Sequence, residues 1–242
     1  MHHDRVDQWS RGDSYLHGRD PRAKICTLLI FLIVLATTPY GRWFGLQMFT
    51  YAAILLIGIA AAHLPAGALE IRALVVLPFC AVFALISWLS GDPSRAVMLL
   101  VKTYLSALAV LLLVTTTPLQ LLLRGLESLG APRMFVLVLQ FLHRYLFLIS
   151  EQAHHMRLAA ACRQGRSRQG RADQIRAAAG AVSVLYGRSY SRAFGIHQAM
   201  LSRGFQGRFA AGARLHFHAS DAAFLAIFAI ALSAVRLAFS PQ

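Results

Sequence analysis

Acidic side chains are scarce in this sequence: ten Asp and Glu in 242 residues, against 24 Lys and Arg. Charged residues of both signs make up only 14%, where a soluble domain carries about 25%. The ten carboxylates form no cluster for general acid–base work and no aspartate-rich magnesium motif. Cysteine is as rare. Cys26, Cys80 and Cys162 stand far apart, without metal-ligand spacing, which excludes a disulfide scaffold and a Cys-based site. A Walker-type phosphate loop, His-Glu-x-x-His and Gly-x-Ser-x-Gly are all missing, so this chain alone has no means of hydrolysing ATP. Nothing in the sequence calls for a cofactor or a resident metal.

What is abundant is apolar surface. Hydrophobic residues are 57% of the chain and the mean hydropathy is +0.55, an excess that only lipid can cover. Five stretches approach the length of a membrane-crossing helix: Ala23–Thr38, Trp43–Ala62, Ala73–Leu89, Ala96–Thr117 and Ala222–Phe239. The first is short, and Lys24 is expected to lengthen it by snorkelling; Lys102 is expected to reach the outer interface in the same way. Pro39-Tyr40-Gly41, His63-Leu64-Pro65 and Gly91-Asp92-Pro93 separate the spans. Residues 1–22 are polar and mixed in charge, so the first span reads as a retained anchor behind a tail, not a signal peptide. The spans hold almost no ionisable residue at mid-depth, which argues against a pore through this chain.

The formal net charge of +14 is uneven. Between Leu119 and Leu215 stand 14 arginines against Glu127, Glu151 and Asp173. The other basic segment is the N-terminal tail, four crossings away, so both lie on one side. The positive-inside bias makes that side the cytoplasm and sends the C-terminus outward. The bias accounts for the basic charge without a nucleic acid partner.

The fold class expected is all-α: a polytopic membrane protein of about five spans with a cytoplasmic domain of long helices. Its parts are a tail over 1–22, four spans over 23–117, the helical domain over 118–215 and a fifth span over 220–239. Pro118–Leu129 reads as a short amphipathic helix stopped by Gly130 and Pro132. Met134–Ile149 resembles a sixth span, but Gln140, His143 and Arg144 interrupt it. A crossing there would also put the following arginines outside. It is read as half of a helix lying along or under the membrane and ending near Cys162. A second long helix is expected from about Asp173, as N-cap, to Arg203. Its stripe of Ile175, Ala178, Val182, Leu185, Ser189, Ala193, Ile196 and Met200 leaves Arg188 and Arg192 to one side. Gly165–Gly170 is the basic connector between the two helices.

Two short segments echo each other at the ends of these helices: Cys162-Arg163-Gln164 and Ser202-Arg203-Gly204. A guanidinium at a helix end can form bidentate bonds to carboxylates in a partner's groove. It can equally be cytoplasmic charge that complements the helix dipole. Arg144 beside His143 reads as a packing pair or an interfacial anchor. His154-His155, His216, His218 and Met1-His2-His3 read as solvated or interfacial, because neighbouring helix positions face different ways.

The sequence resembles the transmembrane T component of energy-coupling factor (ECF) transporters, in the cobalt-type branch CbiQ. The resemblance rests on Asp20-Pro21-Arg22-Ala23-Lys24, on Thr116-Thr117-Pro118-Leu119-Gln120-Leu121-Leu122 and on Leu129-Gly130-Ala131-Pro132-Arg133. It continues with Arg144-Tyr145-Leu146, Glu151, Met156-Arg157 and Ala159, and is most specific at Ala199–Arg208. It implies a non-catalytic scaffold in a bacterial inner membrane. Coupling helices tipped by Arg163 and Arg203 would seat in two ATP-binding-cassette ATPases, and the membrane part would hold a separate capture subunit for a metal ion. The cobalt character of the branch favours cobalt over nickel. Cys162-Arg163-Gln164 departs from the usual Ala-Arg-Gly or Ala-Arg-Ser, and Gly165-Arg166-Ser167 is an alternative first tip. The rival readings are a stand-alone permease and a membrane enzyme acting on lipids.

Overall fold

A computed structural model of the protein describes residues 12, 14, 16–39, 41–164, 170–207 and 218–238. Every regular element among them is a helix: α1 Pro21–Thr37, α2 Phe44–Ala61, α3 Ala66–Leu74, α4 Leu77–Leu89, α5 Pro93–Thr116, α6 Leu119–Ser128, α7 Arg133–Gln164, α8 Arg171–Ser202 and α9 Ala219–Ala238. The chain divides into two compact units, Met1–Arg133 with Leu215–Gln242, and Met134–Arg214.

In the first unit, α1 starts at a sharp local signal. Asp20 is its N-cap and accepts a hydrogen bond from the Arg22 backbone N–H at 2.8 Å, while Pro21 takes the first helical position, where no N–H is needed. α1 packs against α5, α6 and α9, and α2 closes the group against α5 and α9. The core between them holds Phe31, Leu35, Tyr51, Leu55, Leu105 and Leu232, with Tyr51 edge-on to Phe31 at 6.1 Å between ring centroids. α6 lies so close to α1 that any side chain larger than glycine's would be tight at position 125. A Cβ there would meet Ile25 Cδ1 at 3.1 Å and Pro21 Cβ at 3.3 Å. That contact assigns α6 to the first unit, whereas the sequence places it with the long helices.

The outside of this unit is apolar. Phe49, Ile57, Phe79, Phe83, Ile86 and Leu89 are all exposed, each a side chain whose burial is worth about 1.5–3 kcal/mol. Four helices are long and apolar enough to cross a membrane: α2, α5, α7 as far as Arg163, and α9. The pair Gly67–Leu74 and Leu77–Leu89, bent by 50°, makes a fifth when taken as one span. The protein is therefore a polytopic, all-helical membrane protein. Taken as one span, the third comes as two helices, where the sequence suggests a single run from Ala73. α1, at 17 residues, is about 26 Å long by the helical rise and lies at the short limit of a crossing.

The second unit contains α7 and α8, each of 32 residues and each about 48 Å long. α7 runs through Arg144 and Glu151 without a break to Gln164. α8 starts three residues earlier than its charge pattern suggests. Gly170, not Asp173, holds the N-cap position, and Asp173 sits in the first turn, where its carboxylate still favours the dipole. The stripe of α8 is only half covered, since Ile175 and Val182 are exposed while Leu185, Ser189, Ile196 and Met200 are half-buried.

Candidate functional site at the helix tips

Ser202, Arg203 and Gly204 form the end of α8. Arg203 is the C-cap residue, and Gly204 follows in the left-handed region at φ +75°. The Phe205 N–H donates to the Met200 carbonyl at 3.0 Å and the Gly204 N–H to the Leu201 carbonyl at 2.9 Å. These two bonds are a Schellman stop, which needs a residue without a Cβ at its turning point. The glycine of the motif thus sets the backbone, and the arginine rides on a helix end whose Met200 and Leu201 carbonyls are already satisfied. Arg203 is exposed. At the end of α7, Cys162 and Arg163 are exposed in the last turn and Gln164 is the final helical residue. The alternative first tip, Gly165-Arg166-Ser167, lies outside the described residues, as do Arg208, His216 and Met1-His2-His3.

The two helices meet at a polar contact. With its amide oxygen turned toward the guanidinium, Gln152 accepts from Arg192 Nη2 at 2.6 Å and Nη1 at 3.3 Å. Eleven residues separate Gln152 from Arg163, and eleven separate Arg192 from Arg203. Each helix therefore continues about 16 Å past the contact to its arginine. Arg192, expected beside the apolar stripe, instead joins Ser189, Ala193, Ile196 and Met200 in lining a groove against α7. Neither tip arginine has an ion-pair partner among the described residues.

A second polar cluster, in the first unit, is one the sequence reading misses. Asp221, at the start of α9, accepts from Arg19 Nη1 at 3.3 Å on one carboxylate oxygen and from the His218 N–H at 3.1 Å on the other. The side chains of Arg19 and Asp221 are 11% and 4% exposed, so this pair is buried. Beside it Lys24 does not snorkel. It is buried, and its Nζ donates to the Thr116 carbonyl at 3.1 Å, Thr117 Oγ1 at 3.0 Å and the His17 carbonyl at 3.3 Å. One ammonium thus ties the start of α1 to the end of α5. Lys102 does the converse job at the other end of α1, donating to the carbonyls of Ala36 at 3.0 Å and Thr38 at 2.7 Å, while Arg236 Nη1 donates to Thr37 Oγ1 at 2.7 Å. A lone Asp heading an apolar run was the only sequence signal for the cluster.

Among the described residues no group of three or more His, Cys, Asp or Glu could hold a metal ion. His155 sits 3.8 Å from Glu151 on an exposed face, and His143 lies edge-on to Phe147 at 5.5 Å. Arg144 is exposed, 5.8 Å from the Tyr145 ring centroid.

No curated protein sequence matches the chain. The family described as CbiQ, cobalt transport protein, matches residues 12–211, which is most of the chain, together with the apolar helices and the arginine-ended pair, and so the protein belongs to the CbiQ family, a membrane component of cobalt transport.

Proposed function

We propose that the chain is the transmembrane scaffold of an ECF-type importer, coupling ATP hydrolysis by two partner ATPases to uptake of cobalt through a separate capture subunit. The observation that supports this most is the pair of 32-residue helices joined at Gln152 and Arg192, each running eleven residues on to an exposed arginine. Two stiff arms of equal reach suit a part that is gripped at both ends. When the ATPases approach, their grooves carry the tips with them, and rigid helices turn that movement into a change of crossing angle. The chain itself performs no catalysis on this reading.

In the bilayer, α1, α2, the α3–α4 pair, α5 and α9 cross, and α7 lies along or under the cytoplasmic face. The membrane is the bacterial inner membrane and the N-terminus is cytoplasmic, in line with the arginine excess over 119–215. Cys162, Arg163, Gln164, Ser202, Arg203 and Gly204 form the ATPase contacts. Arg163→Ala and Arg203→Ala are each compared with Arg188→Ala, an exposed mid-helix control. Losing an arginine from a carboxylate-lined groove costs about 2–5 kcal/mol. The tip variants should therefore lose ATPase pull-down and cobalt accumulation at matched expression, while Arg188→Ala keeps both. Arg203→Lys should rescue in part, since lysine keeps the charge and loses the fork. If both tip variants assemble and transport like wild type, the arginines are only cytoplasmic charge.

A further inference from the structure

The groove between α7 and α8 has a cavity volume of about 390 Å³ and an almost wholly apolar lining, including Val138, Leu142, Ile149, Ala193, Ile196 and Met200. Its charged lining residue is Arg192. That guanidinium is half-buried, and its hydrogen bonds here go to Gln152, a neutral amide. Two of its five N–H donors are used in this way, which leaves about three for another acceptor. Ser189 offers no competing donor, because its hydroxyl is spent on the Leu185 carbonyl at 2.8 Å. A cation held in an apolar wall by a neutral partner keeps its full attraction for an anion.

The polarity is graded along the groove. The Gln152–Arg192 contact marks one end, and Val138 lies about four helical turns earlier on α7. At about 30 Å³ for each water-sized group, 390 Å³ holds roughly a dozen methylenes. A long apolar slot with one cation at its end fits an amphiphile with an anionic head.

We propose that this groove binds one acyl chain of an anionic phospholipid, with the lipid phosphate on Arg192. The acyl chain covers the apolar faces that α7 and α8 leave open, and the phosphate supplies the counter-charge that Arg192 lacks among the described residues. The lipid would brace the two helices at their contact, between the arms.

The test uses the full chain purified in mild detergent and native mass spectrometry, with phosphatidylglycerol and phosphatidylcholine of the same acyl chains as probes. Wild type should retain one phosphatidylglycerol in preference to phosphatidylcholine by about tenfold or more, the size expected of a charge-assisted hydrogen bond. Arg192→Gln should abolish the preference, and Arg192→Lys should keep part of it. Ala193→Trp, which fills the groove, should lose both lipids, and Arg188→Gln should change nothing. Equal retention of the two lipids by wild type, or an unchanged preference in Arg192→Gln, overturns the proposal. So does a photo-crosslinker at Ile196 that captures a protein helix from the assembled complex in place of lipid.

Discussion

Asp221→Ala should be among the most damaging single substitutions in the membrane unit. It removes both acceptors of a buried carboxylate, taking the Asp221 oxygens away from Arg19, whose side chain is 11% exposed, and from the His218 N–H. Breaking a buried ion pair by deleting one partner costs about 3–5 kcal/mol, because the surviving charge stays desolvated. Arg19 keeps some access to solvent, which moves the figure to the lower half of that range, and the lost cap adds about 1 kcal/mol. The total of about 4 kcal/mol should lower the Tm by roughly 10 °C in a protein of this size. The assay is thermal unfolding of the full chain in detergent, run as a double-mutant cycle with Arg19→Ala. The double variant should be less destabilised than the sum of the singles by about 2 kcal/mol, since it removes both charges of the pair together. Asp221→Asn should lose about half as much, keeping its cap and giving up the charge. A shift below about 2 °C for Asp221→Ala, or strict additivity in the cycle, would refute the reasoning.

Three other outcomes are expected. Tyr51→Phe should leave stability unchanged or raise it by about 1 kcal/mol, because the hydroxyl is fully buried without a hydrogen-bond partner among the described residues; a fall in Tm would mean that it has one. Gly204→Val places a β-branched residue at φ +75° and should cost about 1–2 kcal/mol locally. Hydrogen exchange at the Phe205 amide reads this directly, and ATPase co-purification should weaken with Arg203 still present; unchanged protection would deny the Schellman stop its role. With Cys26 and Cys80 replaced by Ser and no ATPases expressed, an impermeant maleimide should label Cys162 in inside-out vesicles and not in intact cells. The reverse pattern would sink the proposed topology.

The sequence was most readable where one local rule decides the outcome. Gly130 and Pro132 stop α6, apolar runs mark α2 and α5, and Gly204 ends α8 where the motif says it should. It was least readable where distant segments meet. Lys24 looks like a snorkelling residue in a single span, because its acceptors, Thr116 and Thr117, are more than 90 residues away. Arg192 has the spacing of a solvent-facing partner for Arg188, and only the approach of α7 puts it into a groove. Asp173 and Gly170 both suit an N-cap, and nothing local chooses between them. The break at Val75 and Val76 has no glycine or proline of its own, and Pro78 acts only just after it. The arginine tips could be named from the sequence, but their equal reach from a shared contact could not.

The pairing of Arg19 with Asp221 also has a consequence for how the chain is made. The two residues lie 202 positions apart, and α9, which carries Asp221, is the last helix of the first unit. At about 5–20 residues per second of synthesis, Arg19 leaves the ribosome roughly 10–40 s before its counter-charge exists. For that interval the bundle is open along the face of α1 that α9 will cover, and the whole of α7 and α8 is translated while it stays open. A chain truncated after α8 would carry Arg163 and Arg203 on an unfinished membrane unit, with Arg19 lacking the Asp221 carboxylate and the side of α1 that meets α9 uncovered. Completion of α9 is thus the step that brings the Asp221 carboxylate to Arg19 and closes the bundle against α1.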